Sequence, residues 1–245
     1  MLRARIYYIC RFIAVVFRYW PEARAGGLDA DGWSRAALDI FRAIEDCGGR
    51  FDIAGLANLR KTDGPVVFVA NHMSTLETLV PPAFIYPHKK PVYVVKEQLF
   101  RIPFFGAYVQ QCIGVTRENP SEDFRQVMTR GAEKISGGFS VIVFPQATRI
   151  PFFDPEKFNS LGVKLAKRCQ VPVIPLALKT DFWGTGRFVK DFGPLHPGRT
   201  IHFEFGAPME IHGSGREEHE HVMAFIRERL ERWGAGKADS RGGKQ

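Results

Sequence analysis

The segment Asn71-His72-Met73-Ser74-Thr75-Leu76-Glu77 follows directly on the apolar run Val66-Val67-Phe68-Val69-Ala70. A histidine leaving a buried strand is held at the edge of a sheet, where α/β active sites form. Unperturbed imidazole titrates at about pH 6.5 and can take a hydroxyl proton at neutral pH. Such a base needs a partner that fixes its tautomer, and Glu77, five residues on, is the candidate. Five residues on one continuous helix point about 140° apart. The pair can therefore meet only if His72 stays in the loop and Glu77 enters the first turn of the next helix. Ser74-Thr75-Leu76-Glu77 is equally a capping box, with Glu77 reaching back to the Ser74 amide. Cap and catalytic partner both remain open on the local pattern. No G-x-S-x-G occurs, which favours direct transfer through a histidine base over a covalent acyl-enzyme.

The elements that must position this pair alternate along the chain. Apolar, β-branched runs at 51–53, 65–70, 91–95, 112–116, 140–144, 172–178 and 201–205 read as strands. Helical patterns lie at 31–47, 75–84, 98–109, 121–135, 159–169 and 216–233. The alternation predicts an α/β fold, a mixed and mostly parallel sheet flanked by helices.

The first twenty residues place Arg3, Arg11 and Arg18 on one helical stripe, with Ile6, Ile9, Phe12, Ile13, Val16 and Trp20 across from it. A spanning helix would put Arg11 near the bilayer centre, costing roughly 2.5–3.5 kcal/mol. The arginines also interrupt the apolar region of a signal peptide. The segment is read as an interfacial helix, with a helix packed on the protein's own core as the alternative. The expected organisation is a membrane-association segment at 1–48, a catalytic domain at 49–233 and a disordered tail at 234–245.

The chain has 245 residues and a formal net charge of +8, which calls for an anionic partner. Its aromatics cluster in apolar runs such as Phe104-Phe105 and Phe152-Phe153, so a nucleic-acid role is set aside. Cys10, Cys47, Cys112 and Cys169 form no C-x-x-C pair and read as small hydrophobes of a reducing compartment, with no metal site. Glu217-Glu218-His219-Glu220-His221 is read as a solvated helix face, and Asp181-Phe182-Trp183-Gly184-Thr185-Gly186-Arg187 as a loop near a substrate path or a plain surface turn.

From about Phe51 to Met209 the sequence resembles the glycerophospholipid acyltransferase family. The strand-N-H-x-x-x-x-D signature is similar to Val67–Glu77, with glutamate for the usual aspartate. A lysine-acid element resembles Lys96-Glu97, a G-x-x-R element Gly114–Arg117, and the F-P-E-G-T-R signature Phe144-Pro145-Gln146-Ala147-Thr148-Arg149. A valine-proline strand resembles Val171–Pro175, and a closing G-x-P resembles Gly206–Pro208. The resemblance implies an acyltransferase at the cytoplasmic face of the inner membrane, peripheral or monotopic. It would move an acyl group from acyl-CoA or acyl carrier protein, without a cofactor, to 1-acylglycerol-3-phosphate. It implies His72 as base, Glu77 as orienter, and Asn71, Lys96, Arg117, Gln146, Thr148 and Arg149 as substrate-binding residues. Gln146-Ala147 in place of Glu-Gly leaves open another acceptor, such as a lyso-aminolipid, or a catalytically silent membrane-binding relative.

Overall fold

The structure, a computed structural model, describes residues 2–26, 28–146, 148–184, 186 and 193–235. Seven strands form one sheet in the order β1-β7-β6-β2-β5-β3-β4. They are β1 Arg50–Ala54, β2 Val67–Ala70, β3 Lys90–Lys96, β4 Ile113–Val115, β5 Phe139–Val143, β6 Val173–Lys179 and β7 Thr200–Phe205. Strands β4, β3, β5, β2 and β6 are mutually parallel, while β7 pairs antiparallel with β6 and carries β1 parallel beside it. All seven fall where the buried apolar runs predict. β2 and β6 are fully buried, as strands covered on both faces must be.

Alternate side chains of β2 serve two cores. Phe68 and Ala70 face a cluster with Tyr8, Ile40, Ile44 and Phe203. Val67 and Val69 face Val127, Val163 and Ile226. The first layer holds α1 (Leu2–Arg24), α2 (Ala30–Asp46) and the short helices α3 (Leu76–Leu79) and α4 (Pro82–Ile85). The second holds α5 (Pro120–Ser136), α6 (Leu161–Cys169) and α7 (Arg216–Arg232).

Two helical expectations fail for backbone reasons. The pattern at 75–84 breaks into α3 and α4 because Pro81 and Pro82 cannot donate to the preceding turn. The pattern at 98–109 is two 3-10 turns, Glu97–Arg101 and Gly106–Val109. Pro103 separates them, and a Cβ on Gly106 would lie 2.1 Å from the Phe100 carbonyl oxygen.

Helix α1 divides its apolar residues between two faces, a correction to the single face expected. Tyr8, Val15, Tyr19 and Ala23 are buried in the first core, and Tyr8 meets Trp183 edge-on at 4.8 Å. Each large side chain so buried contributes about 1.5–3 kcal/mol. Ile6, Ile13 and Phe17 are exposed beside the exposed Arg3, Arg11 and Arg18. Trp183 of the expected loop at 181–187 thus meets α1, and Phe182 beside it is buried; Thr185 and Arg187 lie outside the described residues.

Three smaller expectations change. Cys10 is exposed and does not act as a core hydrophobe. Glu218 is buried and accepts from the His212 amide at 2.8 Å, and His219 is half-buried against Phe158, so that stretch is not a plain solvated face. Gly234 and Ala235 close α7 by bonding back to Glu231 and Leu230, the glycine at φ 72°. The rest of the expected tail, 236–245, and Ala147 are outside the described residues.

Candidate active site

The C-terminal ends of β2, β5, β3 and β4 converge on a cavity of about 430 Å³. β2 ends at Ala70, and His72 follows in the loop before α3, so the five-residue spacing is met as the geometry requires. The His72 Nδ1 lies 2.5 Å from Glu77 Oε2. With Nδ1 held there, Nε2 is the nitrogen left for a substrate proton. The imidazole stacks on Phe144 at 4.3 Å and 18°, which fixes the ring plane.

Glu77 is almost wholly buried, at 1% exposure. The Met73 amide donates to both of its oxygens, at 2.8 and 3.0 Å, and the Ser74 amide to Oε1 at 3.0 Å. The Thr180 hydroxyl also donates to Oε1 and in turn accepts from Ser74 Oγ at 2.9 Å. The capping contact and the histidine contact therefore coexist: Oε1 closes the turn while Oε2 faces the imidazole. Thr180, 103 residues from Glu77, has no local signature. Its place just past β6, which pairs with β2 through Ala70 and Leu176, is the signal that points to it.

The cavity wall also carries Lys96, Arg117 and Arg149, and the described lining includes no carboxylate. Arg117 stands in the left-handed region at φ 64°, unusual for a side chain of this size. Asp123 holds it there, accepting from the Arg117 amide at 2.7 Å and from the Thr116 amide and hydroxyl. Burial, then the neighbouring Arg149, pull the Arg117 guanidinium below arginine's usual value, while Asp123 opposes the shift. Arg149 donates to Thr75 Oγ1 at the start of α3, which ties the arginine to the helix bearing Glu77. Two neighbouring guanidiniums and a lysine in one cavity form a bed for an anion such as phosphate.

Three of the expected substrate-binding residues lie elsewhere. Asn71 is buried, its carboxamide donating to the Leu178 carbonyl at 2.8 Å and accepting from the Leu178 amide at 2.9 Å. It therefore joins β2 to β6 and has no group turned to a ligand. Gln146 is 4% exposed, outside the cavity lining, and neither end of its carboxamide has a partner among the described residues. Thr148 is exposed and also outside the lining.

An apolar recess lies beside the cavity, sharing Phe12, Leu79, Leu99 and Phe105 with it and continuing under α1 and α2 to Ile40 and Cys112. Burial raises the Cys112 thiol to about 12, so it lines the recess as a neutral group. Among the described residues no helix is long and apolar enough to cross a membrane.

The family model for acyltransferases matches residues 50–179, which span β1 to the end of β6 and contain the whole cavity floor. The chain is 30% identical over 204 residues to the 1-acyl-sn-glycerol-3-phosphate acyltransferase of Pseudomonas aeruginosa, covering 82% of this chain and 73% of that one. It is 32% identical over 140 residues to a putative 1-acyl-sn-glycerol-3-phosphate acyltransferase of Caenorhabditis elegans, covering 55% and 49%. Its fold is shared, at a TM-score of 0.63 and 22% identity over 97% and 98% of the two chains, with the 1-acyl-sn-glycerophosphate acyltransferase of Thermotoga maritima. With the family model covering more than half its length, the chain belongs to the acyltransferase family and is an acyltransferase.

Proposed function

We propose that the protein acylates the free hydroxyl of 1-acylglycerol-3-phosphate from an acyl thioester, giving phosphatidic acid. The carrying observation is one cavity that joins the His72–Glu77 pair to Lys96, Arg117 and Arg149 without a carboxylate in its described lining. His72 Nε2 takes the hydroxyl proton as the oxygen attacks the thioester carbonyl. The C–O bond forms, the C–S bond breaks, and the imidazolium returns its proton to the departing thiolate. Glu77 holds Nδ1–H and stabilises the imidazolium through its carboxylate. The apolar lining that the cavity shares with the recess of about 70 Å³ beneath α1 and α2, including Phe12, Leu79, Leu99 and Phe105, suits the start of a fatty chain.

The intact dyad weighs against a catalytically silent relative. The cationic wall favours a phosphate monoester over a lyso-aminolipid, whose ammonium it would repel. Purified protein with labelled acyl donor and a panel of lysolipids, read by lipid mass spectrometry, should yield phosphatidic acid first. Preferential acylation of a lyso-aminolipid would replace the acceptor.

The same reading extends to attachment at an anionic membrane, on the side that holds the acyl thioesters. Ile6, Ile13 and Phe17 of α1 lie exposed, and Phe17 and Trp20 pack on the exposed Phe104 at 5.2 and 5.3 Å. Ile102 of the same loop is exposed and lines the cavity. Arginines beside such a patch suit lipid phosphates. Because α1 also builds the core, point changes test this better than deletion. Phe17→Glu should cut binding to anionic vesicles by about tenfold or more without lowering the melting temperature. Unchanged vesicle binding would remove α1 from the membrane contact.

A further inference from the structure

A second groove, of about 380 Å³, lies on the opposite side of the sheet edge, between the first turns of α5 and α6. It meets the catalytic cavity along a shared wall made by Val94, Arg117 and Phe144. The catalytic cavity belongs to the α1 layer, whereas this groove is floored by Val115, Val127 and Val143 of the other core. The reaction proposed above brings three limbs to His72: the acceptor with its phosphate, the fatty chain, and the arm that carries the thioester sulfur. The cationic cavity and the apolar recess account for the first two.

We propose that this second groove holds the phosphopantetheine arm of the acyl donor; the assignment rests on the thioester-dependent reaction above. The arm is a narrow chain of amide and methylene groups ending in a phosphate. The groove offers an apolar floor with Phe124 on its rim, the polar residues Asn159 and Ser160, and one cation beyond the shared wall, Lys164. The one carboxylate in its described lining, Asp123, already accepts from the Thr116 amide and hydroxyl and the Arg117 amide. Lys164 is exposed and its ammonium lies 5.7 Å over the Phe124 ring, so rim and charge form one edge. Phe144 both stacks on His72 and forms part of the groove wall. A sulfur delivered along the groove would therefore arrive beside the imidazole that must return it a proton. Coenzyme A and acyl carrier protein both present this arm, so the groove by itself accepts either.

The test compares the protein with Lys164→Glu and Phe124→Ala, both at exposed positions. Lysophosphatidate, palmitoyl-CoA and palmitoyl-carrier protein are varied in turn, and free coenzyme A is titrated calorimetrically. Lys164→Glu should raise the donor KM about tenfold, and weaken coenzyme A binding similarly, while the lysophosphatidate KM moves less than twofold. Phe124→Ala should act in the same direction with a smaller effect. A rise with one donor alone keeps the groove and identifies the source of the arm. Donor KM and coenzyme A affinity both unchanged, or a rise confined to the acceptor, would overturn the assignment. The titration reads the groove without turnover. Acylation of a different lysolipid would revise the acceptor, leaving the donor comparison intact.

Discussion

The two halves of the catalytic cavity treat charge in opposite ways. On the α3 side, Glu77 is enclosed by donors from Met73, Ser74, Thr180 and His72, so its charge is fully answered by the protein. On the β4 side, Arg117 and Arg149 line one wall, where burial and then Arg149 pull the Arg117 guanidinium down while Asp123 opposes the shift. In the proposed reaction the first half is preorganised for proton transfer. The second gathers cations where an anionic acceptor would bind. On that proposal the contrast separates groups that shape kcat from groups that shape acceptor binding.

After the dyad itself, the largest effect that sharpens this contrast belongs to the cationic half. Arg149→Ala should raise the apparent KM for lysophosphatidate by about 10- to 100-fold, the worth of a charge-assisted phosphate contact, with little change in the donor KM. Equal shifts for both substrates would erase the distinction between the halves. On the other side, Thr180→Val removes one donor to Glu77 and should lower kcat by about tenfold with either KM little changed. Thr180→Ser should restore most of the loss, because it returns the hydroxyl. A purely structural threonine would instead lower the melting temperature in both variants without this split.

A separate effect, on stability and not on turnover, concerns the layer beneath both halves. Burial raises Cys112 to about 12, and raises the Tyr8 and Tyr93 phenols as well. In the unfolded chain these groups ionise near their ordinary values of 9.0 and 10.0. Above pH 9 the unfolded chain therefore binds fewer protons than the folded one, and stability falls as pH rises. Stability should be level up to pH 9 and then decline toward pH 12, by at most about 1.4 kcal/mol per pH unit for each group. Urea midpoints at pH 8, 9.5 and 10.5 check this; a level profile would show that burial does not raise these groups.

Much of this arrangement was readable in the sequence, for identifiable reasons. The seven strands stood out because their runs are short, apolar and rich in β-branched residues, most plainly in β2 and β6, which are buried on both faces. The spacing of His72 and Glu77 leaves cap and partner open, and the resemblance implies the pair; the loop-to-helix junction that the spacing requires is what brings the two together. What escaped depends on contacts across the chain. Thr180 reaches Glu77 only because β6 lies beside β2. Asn71 stands in the N-H signature that carries the resemblance, yet its two polar ends close on Leu178. The pattern at 98–109 has helical periodicity but cannot pass Pro103 and the tight approach of Gly106 to Phe100. The exposed and buried faces of α1 are equally apolar, so composition could not separate them.

The central claim is that Glu77 sets the tautomer of His72, and Glu77→Gln tests it most directly. The Oε1 position receives Met73, Ser74 and Thr180, so the carboxamide oxygen must occupy it. Its NH₂ then faces His72 Nδ1, which has to accept, and the ring proton moves to Nε2. The substrate-facing nitrogen can no longer act as a base. Steady-state turnover should fall by roughly 10²–10⁴. The melting temperature should shift by no more than about 4 °C, the equivalent of ~1 kcal/mol. Near-full activity in Glu77→Gln would contradict the account and leave Glu77 as a helix cap alone.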